Sequence, residues 1–472
     1  MKLHMSLRRL PLVVLACMCL LDLTGCNNRE WGKLANPGYE GQPIKSVLFF
    51  AGQPLDGTTI PANGCGQSPE ALSCYSVHPL DTTIHLEWRN PINRPLVLNE
   101  IVGEGFNTLS MSTWGESWLP CSADCSFFSD RDCQAEPRCS KRAPCSMSFV
   151  PGCGGKSCRI GWFGSANMQI SPAAKDELFD ASVTKPILIM PFIESRFGFD
   201  WDFSDEFPRT MTGELAPGLI SQIKDLIAIY LQHPRDQRWP SKWAQVYDKN
   251  GQPRYAVVIV QAASKTIGSQ EDEAFANGFK EVADKIYQET GVKIGFFIDP
   301  IPRDPDPTAT FRCPDIINPV STYDASFKPD PIKTGPYLRQ QDSILGIHAY
   351  SPEGWIDGRP GVGKKVNKCF KLAWKKVWSQ QWLDTGIPFL QDVTPGYDGH
   401  LLFKDDPSRL LIWGNDAEWR TELLTLVQTK GRKGMVYNSW NGYCEGLAGM
   451  ATAEYGQTNV EWIKAMTATY NH

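Results

Sequence analysis

Arg254-Tyr255-Ala256-Val257-Val258-Ile259-Val260-Gln261, then residues 271–290, then Gly291 and Val292-Lys293-Ile294-Gly295-Phe296-Phe297-Ile298-Asp299-Pro300, form the stretch from which the fold is read. The first run is continuously apolar, as a strand buried on both faces requires. In the second, Phe275, Phe279, Val282 and Ile286 recur at helical spacing, and Gly291 supplies the stop. The third begins another strand. The unit is therefore strand, loop, helix, strand.

The same rhythm extends both ways. Further strands are expected over 45–52, 106–115, 186–196, 343–350, 386–393 and 435–440. Helices are expected over 96–101, 172–182, 215–230, 362–384, 417–429 and 457–468. Residues 83–88 alternate and read as an edge hairpin or short strand, with His85 on the surface or across from a neighbouring strand. Repeated strands and helices read as an α/β chain, and 472 residues suffice for one large barrel-sized domain or two ordinary ones.

Barrel enzymes carry their chemistry where strands end and loops begin. Glu194 ends the apolar run 186–193, Asp392 lies near the end of 386–393, and Asp299 closes 292–298 in front of a Pro that equally suits a turn. Val436-Tyr437-Asn438-Ser439-Trp440-Asn441-Gly442-Tyr443-Cys444-Glu445-Gly446 sets a carboxylate among aromatic residues, where a raised pKa suits a proton donor. Trp114, His348, Tyr350, Tyr397, Asp398, Trp440, Asn441 and Tyr443 are the expected stacking and hydrogen-bonding residues. For the aromatic positions core packing is the competing reading, and for His348 and Tyr350 it is also a bond to neighbouring backbone groups.

The N-terminus reads as an export signal. Lys2, Arg8 and Arg9 precede the apolar run 10–21, which is too short to favour a permanent membrane span. Leu23-Thr24-Gly25-Cys26 resembles a bacterial lipobox and implies a lipid on Cys26, after a signal peptide over 1–25. Residues 26–43 read as a tether and 44–472 as one barrel domain. The expected location is the bacterial outer membrane, cell surface or periplasm, or the medium if the lipobox is unused.

Beyond residue 26, twelve cysteines remain, an even number that allows up to six disulfides in an oxidising compartment. Seven fall between 121 and 158, inside a loop insertion over about 120–164 that is poor in large apolar residues. Zinc is the alternative, disfavoured because no histidine lies in that segment. A formal net charge of −5 gives no sign of a nucleic-acid partner.

Two motifs carry a family resemblance. Residues 438–446 resemble the Asn-x-Trp-Asn-Glu-Trp-x-Glu-Gly signature of the glycoside hydrolase clan around the endo-α-mannosidase family and its polysaccharide-associated relatives. Asn438, Trp440 and Asn441 match its opening, Tyr443 its second Trp, and Glu445-Gly446 its close; Glu454-Tyr455-Gly456 resembles the elements that follow. Asp392-Val393-Thr394-Pro395-Gly396-Tyr397-Asp398 is similar to that family's Val-Thr-Pro-Gly-Trp-Asp loop, and Phe192-Ile193-Glu194 more loosely to its Ile-Glu strand end.

The resemblance implies a (β/α)8 TIM-like barrel acting on glycans, with Glu445 as general acid/base and without a cofactor. Gly442 departs from it, standing where the family has its first motif Glu. Glu194 is then the first choice for the second carboxylate, followed by Asp392 and Asp398. The expected function is an exported, monomeric glycoside hydrolase acting on a polysaccharide or oligosaccharide. The alternative is a non-catalytic glycan-binding lipoprotein. A metal-dependent esterase ranks third, since the seven histidines show no close ligand spacing.

Overall fold

The computed structural model describes residues 30–50, 76–112, 116–120, 157–161, 172–194, 208–209, 214–260, 271–299, 331–348, 368–398, 411–443 and 446–470. Eight parallel strands follow one another: β1 (Ile44–Phe49), β2 (Thr108–Ser112), β3 (Leu188–Glu194), β4 (Pro253–Val260), β5 (Ile294–Ile298), β6 (Ile344–His348), β7 (Phe389–Val393) and β8 (Gly434–Tyr437). Each pairs with the strand before it. β8 returns to β1, with Ile44 opposite Gly434, so the sheet closes and its edges disappear. This is the (β/α)8 barrel that the family resemblance implies.

Both strand faces are apolar because each meets a different core. Inward-facing Leu48, Leu188, Met190, Phe192, Ala256, Val258, Phe297, Leu390 and Val436 fill the barrel. Their alternates, among them Val47, Ile189, Ile193, Val257, Ile259, Phe296 and Met435, face the helices. Ser46 and Ser110 are polar members of the inner layer and hydrogen-bond each other at 2.8 Å. The helical layer contains α1 (Arg94–Gly103), α2 (Pro172–Ser182), α3 (Pro217–Ile227), α4 (Asp272–Thr290), α5 (Lys368–Asp384), α6 (Ala417–Gln428) and α7 (Thr458–Ala468). α4 buries Phe275, Phe279, Val282 and Ile286. It ends at Gly291 in the left-handed conformation, whose N–H donates to Tyr287.

The structure corrects two expectations. From residue 30 the supposed tether is packed: Leu34 is buried among the barrel's inner side chains. The indole of Trp31 donates to the carbonyl of Ile344, the first residue of β6, at 3.0 Å. Gly32 N–H donates to Tyr247 and Ala35 N–H to Gln245, tying the segment to a short strand antiparallel to β4. Residues 30–43 thus plug the base of the barrel. Residues 82–86 are helical rather than extended, because Asp81 caps the Ile84 N–H. His85 is accordingly buried.

The ends of the cysteine-rich insertion are an antiparallel pair, Glu116–Pro120 with Ser157–Gly161. Its interior, like Cys26 and the export segment, lies outside the described residues. Among the described residues, no helix is long and apolar enough to cross a membrane.

Candidate active site at the C-terminal mouth

Three consecutive strands end in buried polar groups that have no partner. His348, the last residue of β6, is fully buried, and neither ring nitrogen is hydrogen-bonded. Thr394 follows β7 directly and its Oγ1 is unpartnered; Asn438 and Ser439 follow β8 with Oδ1, Nδ2 and Oγ likewise unpartnered. The Asn438–Ser439 peptide is cis. A buried polar atom left without a bond costs about 1–3 kcal/mol. Several such atoms at one end of one barrel are a concentrated debt, and a ligand rich in hydroxyls would settle it.

The loop after β8 is held as framework. Asn441 Oδ1 accepts from Phe50 N–H at 2.9 Å and its Nδ2 donates to Phe50 O at 2.9 Å, joining the end of β8 to the end of β1. The Trp440 N–H reaches Leu48 O, and the Trp440 ring lies so close to Gly449 that a Cβ there would overlap it. Trp440, Asn441 and Tyr443 are each about 1% exposed. In this structure they are packed within the loop, and the clamp on Phe50 is the observed role of Asn441. Replacing Asn441 by Ala strands two backbone groups. It is expected to cost about 2–4 kcal/mol, read as a lowered urea midpoint.

Gly442 leaves little room for the carboxylate that the resemblance places there. A Cβ at 442 would overlap Ser439 Oγ and come within 3.1 Å of Leu447 Cβ. The absent Glu is therefore built into the packing of this loop.

The other expected residues divide. Asp392 is fully buried and ion-paired with Lys375 of α5, itself fully buried. It also accepts from Gln391 Nε2 at 3.0 Å. Sequence ranks Asp392 second for the base; in the structure its carboxylate faces a buried cation. Glu194 ends β3, with β1 and β2 between it and β8 around the barrel. Its backbone pairs with Val260. Glu445, Trp114 and Tyr350 lie outside the described residues.

Tyr397 and Asp398 form a two-residue strand against Leu411–Ile412. Tyr397 is buried, whereas Asp398 is half-buried and its backbone lies against Gly446, next to Glu445. This hairpin continues into Trp413, which is 56% exposed. Its base is anchored by Arg420, whose Nε donates to Gly414 O at 2.7 Å. Sequence reasoning left out Thr394, Asn438 and Ser439 as site residues, and also Trp413. The signal for the first three was available: Thr394 and Asn438 directly follow strand runs, and Ser439 is the next residue.

Burial lowers the His348 pKa to about 3, so its ring is neutral over ordinary pH. The unfolded chain protonates this residue near pH 6.5 while the folded chain does not. Stability from His348 is therefore lost as pH falls from 6.5 towards 3, by at most about 1.4 kcal/mol per pH unit. Urea midpoints at pH 7, 6 and 5 are expected to fall less steeply for His348→Phe than for the parent.

No protein-family model matches the chain, and no curated protein matches it. Among solved structures, it is similar to the GH99 endo-alpha-mannosidase from Bacteroides thetaiotaomicron, at 11% identity and a TM-score of 0.48, covering 90% of this chain and 98% of that one. It is similar to the glycoside hydrolase family 5 mannosidase from Rhizomucor miehei, at 12% identity and a TM-score of 0.45, covering 93% and 96%. The catalytic domain of the major endoglucanase from Xanthomonas campestris pv. campestris is similar at 11% identity and a TM-score of 0.43, covering 93% and 99%.

Proposed function

We propose that this chain is an exported glycoside hydrolase acting on a polysaccharide or oligosaccharide. Glu445 is the proton donor, and Glu194 the base or orienting carboxylate. The observation that carries this reading is the group of buried, unpartnered polar atoms on His348, Thr394, Asn438 and Ser439 at the ends of β6, β7 and β8. Both donors and acceptors are present among these atoms, as the hydroxyls of a sugar require, and an apolar ligand would leave them unsatisfied.

Hydrolysis needs an acid for the leaving oxygen and a carboxylate for water or carbon, both within reach of protein side chains. A neutral His348 fits this chemistry, because it binds hydroxyls without placing a cation beside the developing positive charge. Trp413 offers an exposed ring on the hairpin that borders the Glu445 loop. Export, with a lipid on Cys26, belongs to the same proposal and rests on residues 2–26.

The packing at Gly442 favours one other reading, a glycan-binding lipoprotein without catalysis. Product release from a panel of α- and β-linked polysaccharides separates the two. Cleavage of any member supports the hydrolase. Glycan binding without cleavage anywhere in the panel supports the binding protein. The anomer released first distinguishes a retaining from an inverting reaction.

A further inference from the structure

Outside the barrel, α7 and α1 flank the seam between β8 and β1 and leave an open groove of about 720 Å3, bordered by residues 80–83. Two of its lining side chains end in buried atoms with nothing to bond. His85 Nδ1 and Glu104 Oε2 are both unpartnered, and each residue is 4% exposed. The other His85 nitrogen, Nε2, lies 3.3 Å from Glu100 Oε2. Facing that carboxylate, Nε2 carries the ring proton, which leaves Nδ1 a bare acceptor.

The charges around these atoms are unequal. Asp81 and Glu100 line the groove with Lys464, so acid is in excess. Burial lowers His85 to about 4, with Asp81 partly opposing, and burial together with Glu100 raises Glu104 to about 9, with Lys464 opposing. Neither residue is charged at neutral pH. Among the described residues, no Phe, Tyr or Trp lines the groove, so a sugar ring would find none of the usual stacking surfaces. Among the described residues, no group of three His, Cys, Asp or Glu could hold a metal ion.

We propose that this groove binds a compact organic ammonium group, whose N–H donors meet His85 Nδ1 and Glu104 Oε2 and whose charge is balanced by Asp81 and Glu100. An ammonium supplies what the groove lacks: several donors on one small cation. Arrival of the cation favours the carboxylate form of Glu104, so one proton passes from that carboxyl to solvent on binding. The site does not depend on the hydrolase reading.

The test is calorimetric titration of the full chain with ethanolamine, ethylene glycol and tetramethylammonium, at pH 7 and pH 8. Ethanolamine is expected to bind saturably, and up to about tenfold more tightly at pH 8, because the proton on Glu104 no longer has to be removed as often. Its heat at pH 7 is expected to vary with the ionisation enthalpy of the buffer. Tetramethylammonium, which has charge but no N–H, is expected to bind at least several-fold more weakly.

Glu104→Gln keeps the shape of the side chain and is expected to abolish both the pH dependence and the buffer dependence, with folding checked by circular dichroism. Equal binding of ethylene glycol and ethanolamine would overturn the proposal in favour of a neutral hydroxyl site. It also fails if ethanolamine shows no saturable heat, or if Glu104→Gln retains the proton release.

Discussion

Replacing Glu445 by Gln is expected to lower turnover of any cleaved polysaccharide by about 10²–10⁴-fold, the usual contribution of a positioned general acid. Gln keeps the size and hydrogen-bonding shape of the side chain but has no proton to give to the leaving oxygen. KM for the polymer is expected to change little, since binding is assigned to the ends of β6, β7 and β8. A substrate with an activated aryl leaving group adds a sharper criterion. Its departure needs less protonation, so the same variant should lose much less of its first-step rate on that substrate. A uniform loss on both substrates would instead assign Glu445 to ground-state binding or to the framework. Full activity of the variant on the natural polymer would remove Glu445 from catalysis altogether.

The largest effect on stability is expected at Lys375 and Asp392. Both side chains are fully buried, one on α5 and the other on β7. Replacing either alone breaks a buried ion pair, at a cost of about 3–5 kcal/mol. Lys375→Met or Asp392→Leu should therefore lower the urea midpoint sharply. The double variant Lys375→Met/Asp392→Leu removes both charges together and is expected to recover most of that loss. Lys375 also lies 5.7 Å from the centroid of the Trp419 ring, so part of the cost of its removal is a lost cation–π contact. If each single variant were as stable as the parent, the ion pair would not hold α5 against the barrel.

The eight strands were legible because a barrel strand is apolar on both faces, a pattern that survives without knowledge of its neighbours. α4 was legible through its four apolar positions and the Gly291 stop. Residues 82–88 misled because Thr83, His85 and Glu87 alternate with apolar neighbours, whereas the buried pair is His85 and Trp88, one helical turn apart.

The candidate site was legible in place but less so in its parts. The strand ends and the motif after β8 point to the same end of the barrel as the buried, unpartnered polar atoms. Local sequence does not show that Gly449 lets that loop fold in on Trp440, or that Gly442 lies against Ser439 and Leu447. Nor could it show that Asp392 meets Lys375, because that pairing depends on how a helix lies across a strand. Trp413 was passed over for a related reason: an exposed aromatic becomes visible only once the surface exists.

With a lipid on Cys26, the plug at the base of the barrel would also set an attitude. Only a few residues separate Cys26 from the packed segment that starts at residue 30, and fully stretched they reach on the order of 14 Å. A lipid on Cys26 would therefore hold the molecule upright and close to the bilayer, with the plugged floor facing the headgroups. The ends of β6, β7 and β8 would then point away from the membrane. A polymer too large to approach the lipid surface could still reach them from the surrounding medium.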